Sequence, residues 1–238
     1  MEKDTLIRIA RDAVKDEELS VGEIPAIDLY VDQIINLVSE KLKGGSERYR
    51  DRQLTKTMIN NYSKDGLITP VKGKKYNKEQ IVQILTVYTL KNTLSIGEIK
   101  RLLQGAYAME GFDGDDLAEI YDRYLTLKRE NRGYSMEILE ELTGRYELDV
   151  TDERDFMLTV GSLLSLSAFL KNMAQALIDE RYPQPEEPEE KKEKDEKKDE
   201  KKKEKKEKEE KKEEAKKEKN KEKKKKEDAS PAPDADAE

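Results

Sequence analysis

LTKTMINNYSKDGLITPVKGKKYNKEQIVQILTVYTLKNTLSIGEIKRLL, residues 54–103, decides the fold. Thr55 stands where a helix N-cap is wanted, ahead of a short helix ending near Lys64, and Gly66 supplies the left-handed residue that closes it. Thr69-Pro70-Val71-Lys72-Gly73-Lys74-Lys75-Tyr76 cannot continue a helix and has the shape of a small hairpin, or wing, turning at Gly73. Asn77 followed by Gln80 forms a capping box, and Ile81, Ile84, Leu85 and Tyr88 recur at helical spacing. Ser95 and Glu98 repeat the box and open a helix through Leu103. The order is helix, basic turn, helix, helix.

Working outward, residues 2–18 show a weak helical stripe of Leu6, Ile9, Ala10 and Ala13, interrupted by Gly22 and Pro25. From Ile24 to about Lys43 the positions Ile27, Val31, Ile34, Ile35, Val38 and Leu42 predict a second helix, ended by Gly44-Gly45. Downstream, the pattern predicts helices at Asp115–Glu130, Met136–Tyr146 and Asp152–Arg181, a three-helix region. Asp113-Gly114-Asp115-Asp116 resembles a calcium loop but lacks alternating ligands and a terminal glutamate, so it is read as a helix cap. The division expected is 1–23, an N-terminal helix; 24–110, the central domain; 111–182, a helical region for pairing or effector binding; and 183–238, a charged tail. That tail carries 21 lysines and 22 acids and nothing to bury, so it is expected to stay solvated, as disordered chain or a fluctuating helix.

Charge distribution matters more than the total. The chain's net charge is −7, yet residues 41–78 hold eleven Lys or Arg against three acids, a local +8. A basic window in an acidic molecule is the field that attracts phosphates. The chain has no cysteine and no histidine, which removes disulfides, thiolate nucleophiles, the usual neutral-pH base and the commonest transition-metal ligand. Phosphate loops and nucleophile elbows are absent too, so no enzyme, metal or cofactor is expected. No secretion signal is visible, and the uncharged stretch 156–170 is short of the roughly 20 apolar residues of a bilayer span. A cytoplasmic protein without membrane contact is expected.

The arrangement of Tyr62, Gly66-Leu67-Ile68, Tyr76-Asn77 and Leu94-Ser95-Ile96-Gly97-Glu98-Ile99 resembles the DNA-binding domain of the MerR regulators. A closer resemblance, from Ile24-Pro25 through Asp28-Leu29-Tyr30 and Leu54–Tyr62 to about Gln104, is to the domain of unknown function 1836 family, found mainly in Gram-positive bacteria. Both resemblances imply an all-α fold with a MerR-like winged helix-turn-helix and a small β-hairpin wing; the first implies a transcriptional regulator with double-stranded DNA as partner, while the second carries no biochemical function with it. One departure matters: where MerR recognition helices carry Arg-Tyr-Tyr-Glu, this chain has Asn60-Asn61-Tyr62-Ser63. Asparagine can still bond both N6 and N7 of adenine. Lys56, Asn60 and Asn61 are therefore expected to face the groove and Tyr62 and Lys64 to hold phosphates. Lys72, Lys74 and Lys75 on the wing, with Arg48, Arg50 and Arg52 before the helix, are expected to grip flanking backbone. Tyr62 and Tyr76 also fit as core residues. MerR-like readers generally pair, so a homodimer through the Phe156–Ile178 helix is expected. The rival expectation is a helical protein-interaction adaptor that keeps the fold without binding DNA.

Overall fold

The computed structural model describes residues 2–46, 53–71 and 73–184. Seven α-helices lie among the described residues: α1 (Lys3–Ala13), α2 (Val31–Leu42), α3 (Lys56–Lys64), α4 (Lys78–Leu90), α5 (Ile96–Tyr107), α6 (Gly114–Arg145) and α7 (Glu153–Arg181). Two short strands, β1 (Leu29–Tyr30) and β2 (Lys75–Tyr76), pair antiparallel with Leu29 opposite Tyr76 and Tyr30 opposite Lys75.

The core is built around α4, which other elements cover along most of its length. Ile81, Val82, Ile84 and Val87 are all fully buried, as expected of a helix that other elements surround. Ile34, Val38 and Leu42 of α2, Ile59 of α3 and Ile99 and Leu103 of α5 join the same cluster, with Leu117, Tyr121 and Leu125 of α6. The caps are as the sequence predicts. Thr55 Oγ1 accepts from Met58 N at 3.2 Å, and Asn77 Oδ1 from Gln80 N at 2.9 Å. Ser95 Oγ accepts from Glu98 N at 3.2 Å, and Asp113 Oδ1 from Asp115 N at 2.8 Å.

Four expectations need correction. The helix anticipated from Ile24 begins only at Val31, because Leu29 and Tyr30 are drawn into β1, and Ile27 is left 68% exposed. The stretch 69–76 is not a self-paired hairpin: β2 takes its partner from β1, so the small sheet ties the basic turn to the entrance of α2. The helices anticipated at Asp115–Glu130 and Met136–Tyr146 are one continuous α6, so two long helices follow the central domain instead of three. Gly133, at the expected break, costs a helix interior only about 1 kcal/mol. Both flanks are anchored: Lys128 and Arg132 pair with Asp16, while Leu139 and Thr143 are buried. Finally, α1 ends at Ala13 and not near Glu18. Residues 16–18 lie outside any helix, and Asp16 and Glu18 both meet Lys128.

α7 is held near its C-terminal end by α5, where Gln175 Nε2 donates to Glu98 Oε1 at 2.6 Å and Arg101 donates to Asp179 Oδ1 and to the Tyr182 carbonyl, each at 2.7 Å. Gly105 permits this contact, since a Cβ there would lie 2.1 Å from the Tyr182 ring. Elsewhere α7 is mostly uncovered, and by length and composition it is apolar enough to cross a membrane.

Candidate nucleic-acid interface

Helix α3 has two unlike faces. Met58, Ile59 and Tyr62 turn inward, Ile59 completely buried. Lys56, Asn60, Ser63 and Lys64 turn outward and form one wall of a cleft of about 1060 Å³, with Lys74 of the basic turn also in its lining. Four of the residues singled out from the sequence, Lys56, Asn60, Lys64 and Lys74, thus share one concave surface. Asp32 is the single acid among the described lining residues, against Lys56, Lys64 and Lys74.

The remaining candidates fall in three places. Asn61 and Lys75 are exposed outside this lining. The Lys75 ammonium sits over the Tyr30 ring, 5.1 Å from its centroid, which fixes the side chain beside the cleft mouth. Arg48, Arg50, Arg52 and Lys72 lie outside the described residues. Tyr62 corrects the phosphate-holding expectation: it is 4% exposed, and its hydroxyl has no partner among the described residues. Burial, with Tyr88 adding a smaller push, moves that hydroxyl up to about 12. A phenol so enclosed is a packing residue. Tyr76, also buried, packs beneath the turn.

Two glutamines hold the basic turn in place, and sequence reading undervalued both. Gln80 serves as a capping partner, but its Nε2 also donates to the carbonyls of Thr69 and Pro70 at 3.2 and 3.1 Å. Gln83 is 1% exposed; its Oε1 accepts from Thr69 N at 2.8 Å and its Nε2 donates to Tyr107 Oη at 2.8 Å. Tyr107 in turn donates to Glu79 Oε1 at 3.0 Å. Burial drives its hydroxyl up to about 12, with Gln83 opposing the shift and Glu79 adding to it, so it remains a protonated donor at neutral pH. The available signal was a polar residue in the otherwise apolar run Ile81–Leu85, since buried amides need partners. The turn itself uses Gly66 (φ 70°) and Gly73 (φ 87°), left-handed positions that favour glycine.

The cleft offers the ammonium groups of Lys56, Lys64 and Lys74, the amides of Asn60, Gln83 and Gln104, and several hydroxyls. Such a set can attract anions and exchange hydrogen bonds with a polar ligand. Among the described residues there is no group of three or more Asp, Glu, His or Cys placed to hold a metal ion. No match was found among curated proteins or solved structures. Residues 19–124, which contain the cleft, both strands and helices α2 to α5, match the family model described as Domain of unknown function (DUF1836).

Proposed function

We propose that this protein is a DNA-binding regulator that lays α3 and the basic turn against duplex DNA. The observation that carries the reading is the convergence of Lys56, Asn60 and Lys64 from a capped helix with Lys74 from the turn on one cleft. Asn60 is the base-reading residue, because its amide can serve adenine bidentately. The lysines hold phosphates and set the register. The MerR-like winged helix-turn-helix belongs to this proposal: β2, paired with β1, is the wing's rigid edge, and Lys74 and Lys75 reach from it. Two copies acting together give the affinity that one small module lacks.

The test is a gel-shift series on genomic fragments enriched with the tagged protein. Lys74→Glu with Lys75→Glu is expected to weaken binding at least tenfold while leaving helix content unchanged. With four lysines engaged, the slope of log affinity against log salt is expected at roughly −3 to −4. Undiminished binding by the double variant, or a slope near zero, overturns the reading. A second reading, a protein-interaction adaptor, is favoured by the uncovered apolar side chains of α7. Salt-independent capture of a partner protein with no duplex binding would select it.

A further inference from the structure

Behind the basic cleft lies a second hollow of about 340 Å³, between α4, α5 and α6. Its lining includes Thr86 and Thr89 of α4, Leu103 and Ala106 of α5, Phe112 from the α5–α6 connection, and Tyr182 just beyond α7. None of the described lining residues is charged. Three of the wall hydroxyls are already committed elsewhere: Thr86 Oγ1 donates to the Val82 carbonyl at 2.8 Å, Thr89 Oγ1 to Glu18 Oε1 at 3.1 Å, and Tyr121 Oη to the Leu19 carbonyl at 3.2 Å. An occupant therefore gains little by carrying charge and much by carrying hydrocarbon. The volume is that of a small-molecule site and too small for a docked helix. The chain beyond Tyr182 has no large apolar side chain with which to fill it.

Two contacts join this hollow to the cleft. Leu103 lines both. Phe112 meets Tyr107 edge to face, with ring centroids 5.3 Å apart at 83°. Tyr107 then bonds Gln83, and Gln83 holds Thr69 at the root of the basic turn. We propose that the hollow is an effector site for a small, uncharged, mostly hydrocarbon molecule, and that its occupancy alters the grip of the basic turn on DNA. The binding half stands by itself; the regulatory half rests on the DNA-binding reading.

The probe is N-phenyl-1-naphthylamine, a neutral fluorophore, added to the full chain. Saturable binding at one probe per chain is expected, with blue-shifted emission. Ala106→Phe and, independently, Ile120→Trp fill the hollow and are expected to abolish binding with helix content intact. Met173→Glu, on exposed α7, should leave it unchanged. Non-saturable binding, or binding that survives both filling variants, overturns the site. The regulatory half predicts that saturating probe changes DNA affinity about fivefold or more, and that Tyr107→Phe brings the ratio of affinities with and without probe towards one. An unchanged affinity in the wild type overturns regulation while leaving the site. Loss of duplex binding with and without probe, alongside intact probe binding, refutes the DNA-binding reading and, with it, the regulatory half.

Discussion

The Tyr62 hydroxyl is buried against Tyr88 without a hydrogen-bond partner among the described residues. An unmet buried hydroxyl costs on the order of 1 kcal/mol or more. Tyr62→Phe is therefore expected to leave stability unchanged or raise it by about 1 kcal/mol, with DNA affinity unaltered. Thermal unfolding and a gel shift check both halves, and a fall in affinity would restore Tyr62 to the interface. Glu23 makes a different case. The Lys41 ammonium donates to it at 2.6 Å, and the Ser20 N–H and hydroxyl donate at 2.9 and 2.8 Å. Led by Lys41, these bonds lower its carboxyl from 4.5 to about 2. The folded chain thus keeps Glu23 ionised where the unfolded chain would protonate it. Its contribution is complete above pH 4.5 and is lost as pH falls from there towards 2. Glu23→Gln should flatten that limb of a melting-temperature profile against pH and leave the profile above pH 6 parallel to the wild type.

At the scale of elements, α3 is nine residues long, too short to persist without help. Its help comes from its cap and from two buried side chains, Ile59 and Tyr62. Thr55→Ala removes the bond to Met58 N and is expected to cost about 1 kcal/mol. Ile59→Ala, at a fully buried position, should cost about 2–5 kcal/mol. Chemical denaturation measures both, and a larger loss from Thr55→Ala than from Ile59→Ala would mean that the cap and not the core holds the helix. The caps of α3, α4, α5 and α6 were legible because each is a local exchange of side chain for backbone N–H, fixed within four residues. The continuity of α6 was not legible. Gly133 reads as a break until Asp16, more than a hundred residues upstream, is seen to clamp Lys128 and Arg132 on the same helix. Burial opposes the charge on Lys128, but Glu18 and Asp16 outweigh it and raise its pKa, so the clamp holds across neutral pH.

Over the whole molecule, α7 poses the problem of an apolar helix with too little to cover it. Phe156, Thr159, Leu163, Leu166, Leu170, Met173 and Leu177 follow the alternating three–four spacing of a coiled-coil seam. Thr159 is buried near the turn from α6, whereas Leu170, Met173 and Leu177 are 52, 61 and 72% exposed. Ser167, Phe169, Ala174 and Ala176 flank this bare half without charge, so identical copies meet no like-charge repulsion there. Such a seam suits a second copy of the chain. Light scattering at tens of micromolar is expected to give a dimer. Met173→Glu with Leu177→Glu should give a folded monomer, and a wild type that is monomeric at that concentration refutes the pairing. Because the chain has no cysteine, Met173→Cys should also cross-link copies under oxidation without competing thiols.

By itself the sequence determined the helical class, the caps, the inward face of α4, and the concentration of positive charge near α3, since periodicity and capping are short-range properties of the chain. Which lysines share a cleft, which tyrosine is core, where β2 finds its partner and whether Gly133 interrupts a helix were decided only by the tertiary structure. Those outcomes depend on contacts between residues tens of positions apart, whose free energies exceed the local preferences they override.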